Sequence, residues 1–187
     1  MARKILFIPL MSIAIPLICI AVSAILSPWF NVYDNALSDL GHATRSPVAP
    51  ILNFGLSLGG TLIVITAVTI LNRIHRILAL LLSLTGYSLV LVAVFDEVYR
   101  SLHYWVSVLF FVGLAVSVAT YAIITKNMTR IVLVTIALAL SIILWIAHIT
   151  YRVPRGAAIP ELISILAAIP FYIDASLKSS RIALKQS

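Results

Sequence analysis

The chain has 187 residues, 62% of them apolar and only 10% charged, with a mean hydropathy of +1.13. Soluble domains carry about 45–50% apolar and about 25% charged residues, so the composition excludes an ordinary soluble globule and indicates an integral membrane protein. The net charge of +7 does not point to nucleic acid, because the basic residues sit in short loops between apolar runs, where they act as topology signals.

A membrane helix needs about 20 apolar residues to cross about 30 Å of hydrocarbon. The first such run, residues 5–26, follows Arg3-Lys4. It exceeds the ~7–15-residue core of a signal peptide and reads as an uncleaved span. It contains the single cysteine, Cys19, which leaves no intramolecular disulfide or cysteine metal cluster. Next comes the longest mixed polar stretch, Asn31 to His42, NVYDNALSDLGH. Read as a helix, it puts Asn31, Asn35, Ser38, Asp39 and His42 on one face. Asn31 or Asp34 suits the N-cap, and Gly41 suits a left-handed C-terminal position. This predicts a short amphipathic helix between the first and second spans. Asn35, Ser38 and Asp39 are expected to turn over the bundle mouth, with Leu37 and Leu40 toward lipid or the first span.

The second span, residues 51–71, carries Gly55-x-x-x-Gly59 and then Gly60, a spacing that lets helix backbones approach closely. The third covers 77–97, the fourth 103–125, the fifth 131–151 and the sixth 157–175, the last expected to be broken by Pro160 and Pro170. No linker, second composition zone or internal repeat interrupts the chain. The fold expected is therefore all-α: one polytopic membrane helix bundle of six spans. Nine basic residues (Arg3, Lys4, Arg73, Arg76, Lys126, Arg130, Lys178, Arg181, Lys185) fall on the side of the N-terminus, and four (Arg45, Arg100, Arg152, Arg155) on the other. The excess predicts a cell-membrane protein with both termini in the cytoplasm.

Asp34, Asp39, Asp96, Glu97 and Glu161, with His42, His103 and His148, all fall on the side away from the termini. Asp174 and His75 do not. Asn53 and Ser57 continue the polar set along one face of the second span. An ionisable group at a helix centre costs roughly 2.5–3.5 kcal/mol on insertion scales, so such groups are expected to face the bundle or a wet cavity. The expected pocket comprises Asn35, Ser38, Asp39, His42, Asn53, Ser57, Glu97, His103, His148 and Glu161. Asp96 with Arg100, and His148 with Arg152, are spaced i, i+4 and suit local pairs if their helices continue that far. The plainer reading is that carboxylates and arginines at this level, Arg152 and Arg155 included, pair with each other and with lipid head groups.

Four segments resemble a known family. Ala36-Leu37-Ser38-Asp39-Leu40-Gly41 matches an S-D-L-G segment after the first span. Leu52-Asn53-Phe54-Gly55-Leu56-Ser57-Leu58-Gly59-Gly60 matches an asparagine-and-glycine start to the second. Val94-Phe95-Asp96-Glu97 with Leu102-His103 matches a segment usually reading F-P-E then L-H, and Ala158-Ile159-Pro160-Glu161-Leu162 matches a glutamate opening the last span. Together these resemble the uncharacterised six-span membrane proteins known as domain of unknown function nine-nine-eight. The resemblance implies Ser38, Asp39, Asn53, Glu97, His103 and Glu161 as the matched polar positions, and it implies no activity. Proline usually stands where this chain has Asp96, which favours a local Arg100 pair for that residue.

Several functions are compatible with these residues. An outward-facing polar pocket would bind or process a lipid head group or other amphiphile. In it a carboxylate pair (Asp39 with Glu97 or Glu161) and His103 would act as acid and base, and Ser38 as a possible nucleophile. A metal-dependent membrane hydrolase would need a shell such as His42, His103 and His148 with Asp39 or Glu161. Ser38-x-x-x-His42 resembles part of the alkaline-ceramidase pattern, but its paired His-x-x-x-His on the last span is absent, as is HExxH, so no metal or cofactor is expected. A non-enzymatic small subunit or scaffold would use the Gly55–Gly59 face and other membrane subunits as partners. A transporter would need polar groups through the whole depth, and the inner halves are nearly bare apart from Ser12, Ser83, Thr85, Tyr87 and Asp174. The partners expected are membrane lipids, with no nucleic acid.

Overall fold

The computed structural model describes residues 6–185, with side chains through Ile182. Arg3, Lys4, Ile5 and the side chain of Lys185 lie outside the described residues. Six α-helices follow one another: α1 Phe7–Ile25, α2 Ala49–Thr69, α3 Arg76–Val94, α4 Ser101–Thr125, α5 Met128–Tyr151 and α6 Ala158–Lys185. Each contains a stretch long and apolar enough to cross a membrane. The chain is an all-α integral membrane protein.

Glycine places α2 at the centre of the packing. A Cβ at Gly55 would meet the Cys19 side chain, and one at Gly59 would meet the Pro16 ring, so α1 lies directly on this face. Gly60 turns the other way. A Cβ there would fall 2.5 Å from the Gly86 carbonyl oxygen, and one at Gly86 would fall 2.7 Å from that of Gly60. Two bare backbones therefore set the α2–α3 crossing. The Gly55–Gly59 face is used up inside the chain, α1 included.

α5 is packed differently. Val134 is its one buried residue among the described residues, close to the end where Arg130 donates to Asp174 of α6, from Nε at 2.6 Å and Nη2 at 3.2 Å. Tyr121 of α4 donates to the same carboxylate at 2.7 Å. Beyond Val134, α5 residues from Ala137 to Ile149, and Arg152 just past its end, line a cavity rather than a packed core.

Several expected elements differ. Asn31–His42 is not an amphipathic α-helix. Turns lead to a single 3-10 turn, Leu37–Gly41. Short polar side chains compete for the backbone here. Asn31 Oδ1 accepts from the Tyr33 N–H at 2.8 Å, and Asn35 Oδ1 accepts from the Asn31 N–H at 2.9 Å. Asp39 Oδ2 caps the Ala36 N–H at 2.8 Å. Gly41 has no positive φ; it is small because the Asn53 side chain lies where its Cβ would be, with Oδ1 2.6 Å away. Leu37 and Leu40 are buried against Ile20 of α1, Val48, Leu52 and Ala158.

The third helix stops at Val94, not residue 97. Asp96 then accepts from the Val98 N–H at 2.8 Å and caps a 3-10 turn, Glu97–Tyr99. The spacing that would pair Asp96 with Arg100 is thereby lost, and no such ion pair forms among the described residues. Pro160 and Pro170 do not break the last helix, which runs past the expected end near 175 to Lys185. Pro160 lies in the first turn, where the backbone N–H groups lack intrahelical partners anyway.

Candidate functional site

The site is built on the Leu37–Gly41 turn. Its backbone and side chains reach three separate elements. The Leu37 N–H donates to Glu161 Oε2 of α6 at 2.7 Å. The Ser38 hydroxyl donates to Glu97 Oε1 at 2.7 Å. The Gly41 carbonyl accepts from Asn53 Nδ2 of α2 at 2.9 Å. Glu161 and Glu97 are thus drawn to consecutive residues of one short turn, although 64 positions separate them in the chain (161 − 97). Glu161 is only 8% exposed.

Asp39 completes the acidic group. It accepts from the Ala36 N–H and, at 3.2 Å, from Asn35 Nδ2. Its negative charge lies near Glu97, where like charges oppose ionisation. Burial pushes the Glu97 carboxyl above its ordinary value of 4.5; the Ser38 hydroxyl opposes the rise, Asp39 reinforces it and His103 opposes it.

Two histidines face this group from other helices. His103, in the first turn of α4, is 8% exposed, and its Nδ1 lies 2.7 Å from the Phe95 carbonyl. His148, near the end of α5, has Nδ1 2.9 Å from the Pro154 carbonyl. A carbonyl only accepts, so each Nδ1 carries the proton and each Nε2 is the free nitrogen, an acceptor when the ring is neutral. Ser107, one turn on from His103, stands 3.4 Å from its Nε2.

These groups surround the mouth of a cavity of about 830 Å³ between α4, α5 and α6, within the usual ~300–1,000 Å³ of ligand pockets. Ser38, Glu97, Arg100, His103, His148, Arg152 and Glu161 line one end, and Leu114, Val118, Leu138 and Ala168 line the other. Ser107, Ser141 and Ser164 dot the wall between, and Trp145 donates from Nε1 to Ser164 at 3.1 Å. The arrangement suits a molecule with a polar head and an apolar body, and it holds groups able to take up and release protons.

Of the ten pocket residues expected, Ser38, Glu97, His103, His148 and Glu161 line this cavity. Asp39 and Asn35 stand behind Glu97. Asn53 braces Gly41 from behind, His42 is 3.4 Å from Thr44, and Ser57 lies on α2 outside the lining. Arg100, Ser107, Trp145, Arg152 and Ser164 line it and were not among the ten. The sequence already puts Arg100 and Arg152 on this side of the bundle, and the i, i+4 spacing of His103 and Ser107 could have flagged a third. Among the described residues no three His, Cys, Asp or Glu side chains stand where they could share a metal ion.

A second, apolar cavity of about 100 Å³ lies deeper in the bundle, lined by residues such as Pro16, Leu82, Phe110 and Ile169. It has no charged lining, and it shares Leu114, Val118 and Ala168 with the apolar end of the larger cavity.

No curated protein and no solved structure matches the chain. The model of one family, described as a protein of unknown function (DUF998), matches residues 10–173, from within α1 to the middle of α6. That span takes in the Leu37–Gly41 turn, Glu97, both histidines and Glu161, and the chain belongs to the DUF998 family of membrane proteins of unknown function.

Proposed function

We propose that this protein binds an amphiphile of the membrane in the cavity between α4, α5 and α6, with the head group at the polar end and the body among Leu114, Val118, Leu138 and Ala168. The observation that carries this reading is the polarity gradient along one cavity: ionisable groups are gathered at one end and absent from the other. In hydrocarbon, charged side chains are tolerated only where they meet each other, water or a polar ligand. The excess of basic residues at the opposite end supports cytoplasmic termini, so the mouth opens at the extracytoplasmic surface of a cell membrane. The same groups support acid–base work on the head group. His103 Nε2 is the base, and Ser38, whose hydroxyl donates to Glu97, is the candidate nucleophile. The scaffold alternative loses its motif, because Gly55 and Gly59 are covered by α1.

The test is native mass spectrometry of protein purified in mild detergent, beside Ala137→Phe, which fills the apolar wall. Wild type should carry a stoichiometric amphiphile that the variant has lost at unchanged thermal stability. Wild type free of any amphiphile, or a variant that keeps it, overturns the reading. Reagent access to a thiol placed at the C-terminus from outside the cell only would overturn the orientation.

A further inference from the structure

Charged groups of both signs line the cavity mouth. Glu161 and Glu97 are held by the consecutive residues Leu37 and Ser38. Arg100 precedes the first residue of α4, at the end of the turn that carries Glu97, and Arg152 follows the last residue of α5. Arg100 and Arg152 both line the cavity. Neither enters an ion pair among the described residues, where Arg130 pairs with Asp174 and Arg155 with Asp34. Two lining carboxylates and two lining guanidinium groups balance in charge, yet they do not neutralise each other.

Glu161 is buried and the two arginines are exposed, and lining groups of opposite charge that do not meet each other leave a place for a ligand that carries both charges. A net-negative head group would satisfy the arginines and leave the carboxylates facing it. An uncharged one would satisfy neither. Guanidinium forks bind phosphate oxygens through paired hydrogen bonds. A primary ammonium offers three donors to carboxylate oxygens that already accept only one bond each from Leu37 and Ser38.

Resting on the amphiphile-binding reading above, we propose that the head group bound here is zwitterionic, a phosphate beside a primary ammonium. Arg100 and Arg152 hold the phosphate, and Glu97 and Glu161 hold the ammonium. No bond is made or broken in this step; it is recognition alone.

The experiment exchanges the purified full chain into nanodiscs holding phosphatidylethanolamine and phosphatidylglycerol of identical acyl chains, in equal amounts. The lipid retained after transfer to detergent is then counted by native mass spectrometry. Wild type should retain phosphatidylethanolamine over phosphatidylglycerol by about tenfold, the scale of one charge-assisted hydrogen bond. Glu97→Gln with Glu161→Gln should abolish that preference while keeping phospholipid bound. Arg100→Gln with Arg152→Gln should lower retention of both lipids by a similar factor. Equal retention, or a preference for phosphatidylglycerol, in wild type overturns the head-group assignment while leaving amphiphile binding intact. A preference that survives the paired glutamine substitutions also overturns it. Failure of wild type to retain any lipid removes the amphiphile reading, and this inference falls with it. Unchanged monodispersity and melting of each variant separate loss of recognition from loss of fold.

Discussion

Removing the Glu161 carboxylate tests the contact that ties the last helix to the Leu37–Gly41 turn. Its Oε2 accepts the Leu37 N–H at 2.7 Å, both residues are buried, and they lie 124 positions apart. Glu161→Ala deletes a charge-assisted hydrogen bond, worth about 1.5–3 kcal/mol, and leaves a buried N–H without its partner, which costs about 1–3 kcal/mol. These overlap, so the expected loss is about 3 kcal/mol. For a chain of this size that lowers the melting temperature by about 6–12 °C. Glu161→Gln keeps an acceptor oxygen and loses only the charge near a helix N-terminus, about 0.3–1 kcal/mol. The assay is thermal unfolding in one detergent, read by size-exclusion recovery, with hydrogen exchange at the Leu37 amide as local report. Glu161→Ala should melt several degrees below Glu161→Gln, and the Leu37 amide should exchange faster only in the alanine variant. Equal melting of the two, or an unchanged Leu37 amide in Glu161→Ala, would refute the reasoning.

Other contacts make separate predictions. Glu97 titrates above 4.5 in the fold, because it is buried among Ser38, Asp39 and His103, with Arg100 and Glu161 lining the same mouth. The folded state therefore binds its proton more tightly, and Glu97 contributes stability that is full below 4.5 and lost as pH rises through the elevated value. Melting of wild type relative to Glu97→Gln should fall across that window, and a flat difference would contradict the burial effect. Gly59→Leu drives side-chain atoms into the Pro16 ring of α1 and should cost about 1–3 kcal/mol or more; unchanged melting would mean that α1 does not pack there. Arg130→Ala removes a pair whose side chains are 33% and 38% exposed. After screening by solvent it should cost only about 0.5–1 kcal/mol, so a melting loss matching that of Glu161→Ala would show the pair to be far less solvated than its exposure indicates.

The six apolar helices were legible because their length follows from hydrocarbon thickness. Glu97, His103 and Glu161 line one cavity, and neither periodicity nor local pairing was needed to group them. The Asn31–His42 stretch misled because its periodicity is real while its short side chains bond the backbone instead. Asn31, Asn35 and Asp39 each take a peptide N–H that an α-helix would turn inward. Gly41 misled similarly, its small size answering the Asn53 side chain and not a left-handed turn. Trp145 and Ser164 could not be grouped in advance, because what brings them together is the gap beside α5. A gap between helices is a tertiary property with no period of its own.

That gap has a cause in where the helices are fastened. At the polar end, the Leu37–Gly41 turn bonds to α2 through Asn53, to the segment after α3 through Glu97 and to α6 through Glu161, and packs on α1 through Leu37 and Leu40. Among the described residues α5 has no side-chain hydrogen bond to that turn; His148 bonds to Pro154, six residues along its own chain, and Trp145 reaches Ser164 of α6. At the opposite end the fastening is reversed. Arg130 of α5 and Tyr121 of α4 share Asp174 of α6, and Val134 is packed beside them. A helix anchored at one end and not bonded to the closing turn at the other leaves room beside it. α5 lines the cavity from Ala137 onward, just past the anchored turn, as that requires. The turn thus does two things at once: it sets the carboxylates in place, and by omitting α5 from its contacts it leaves open the space they face.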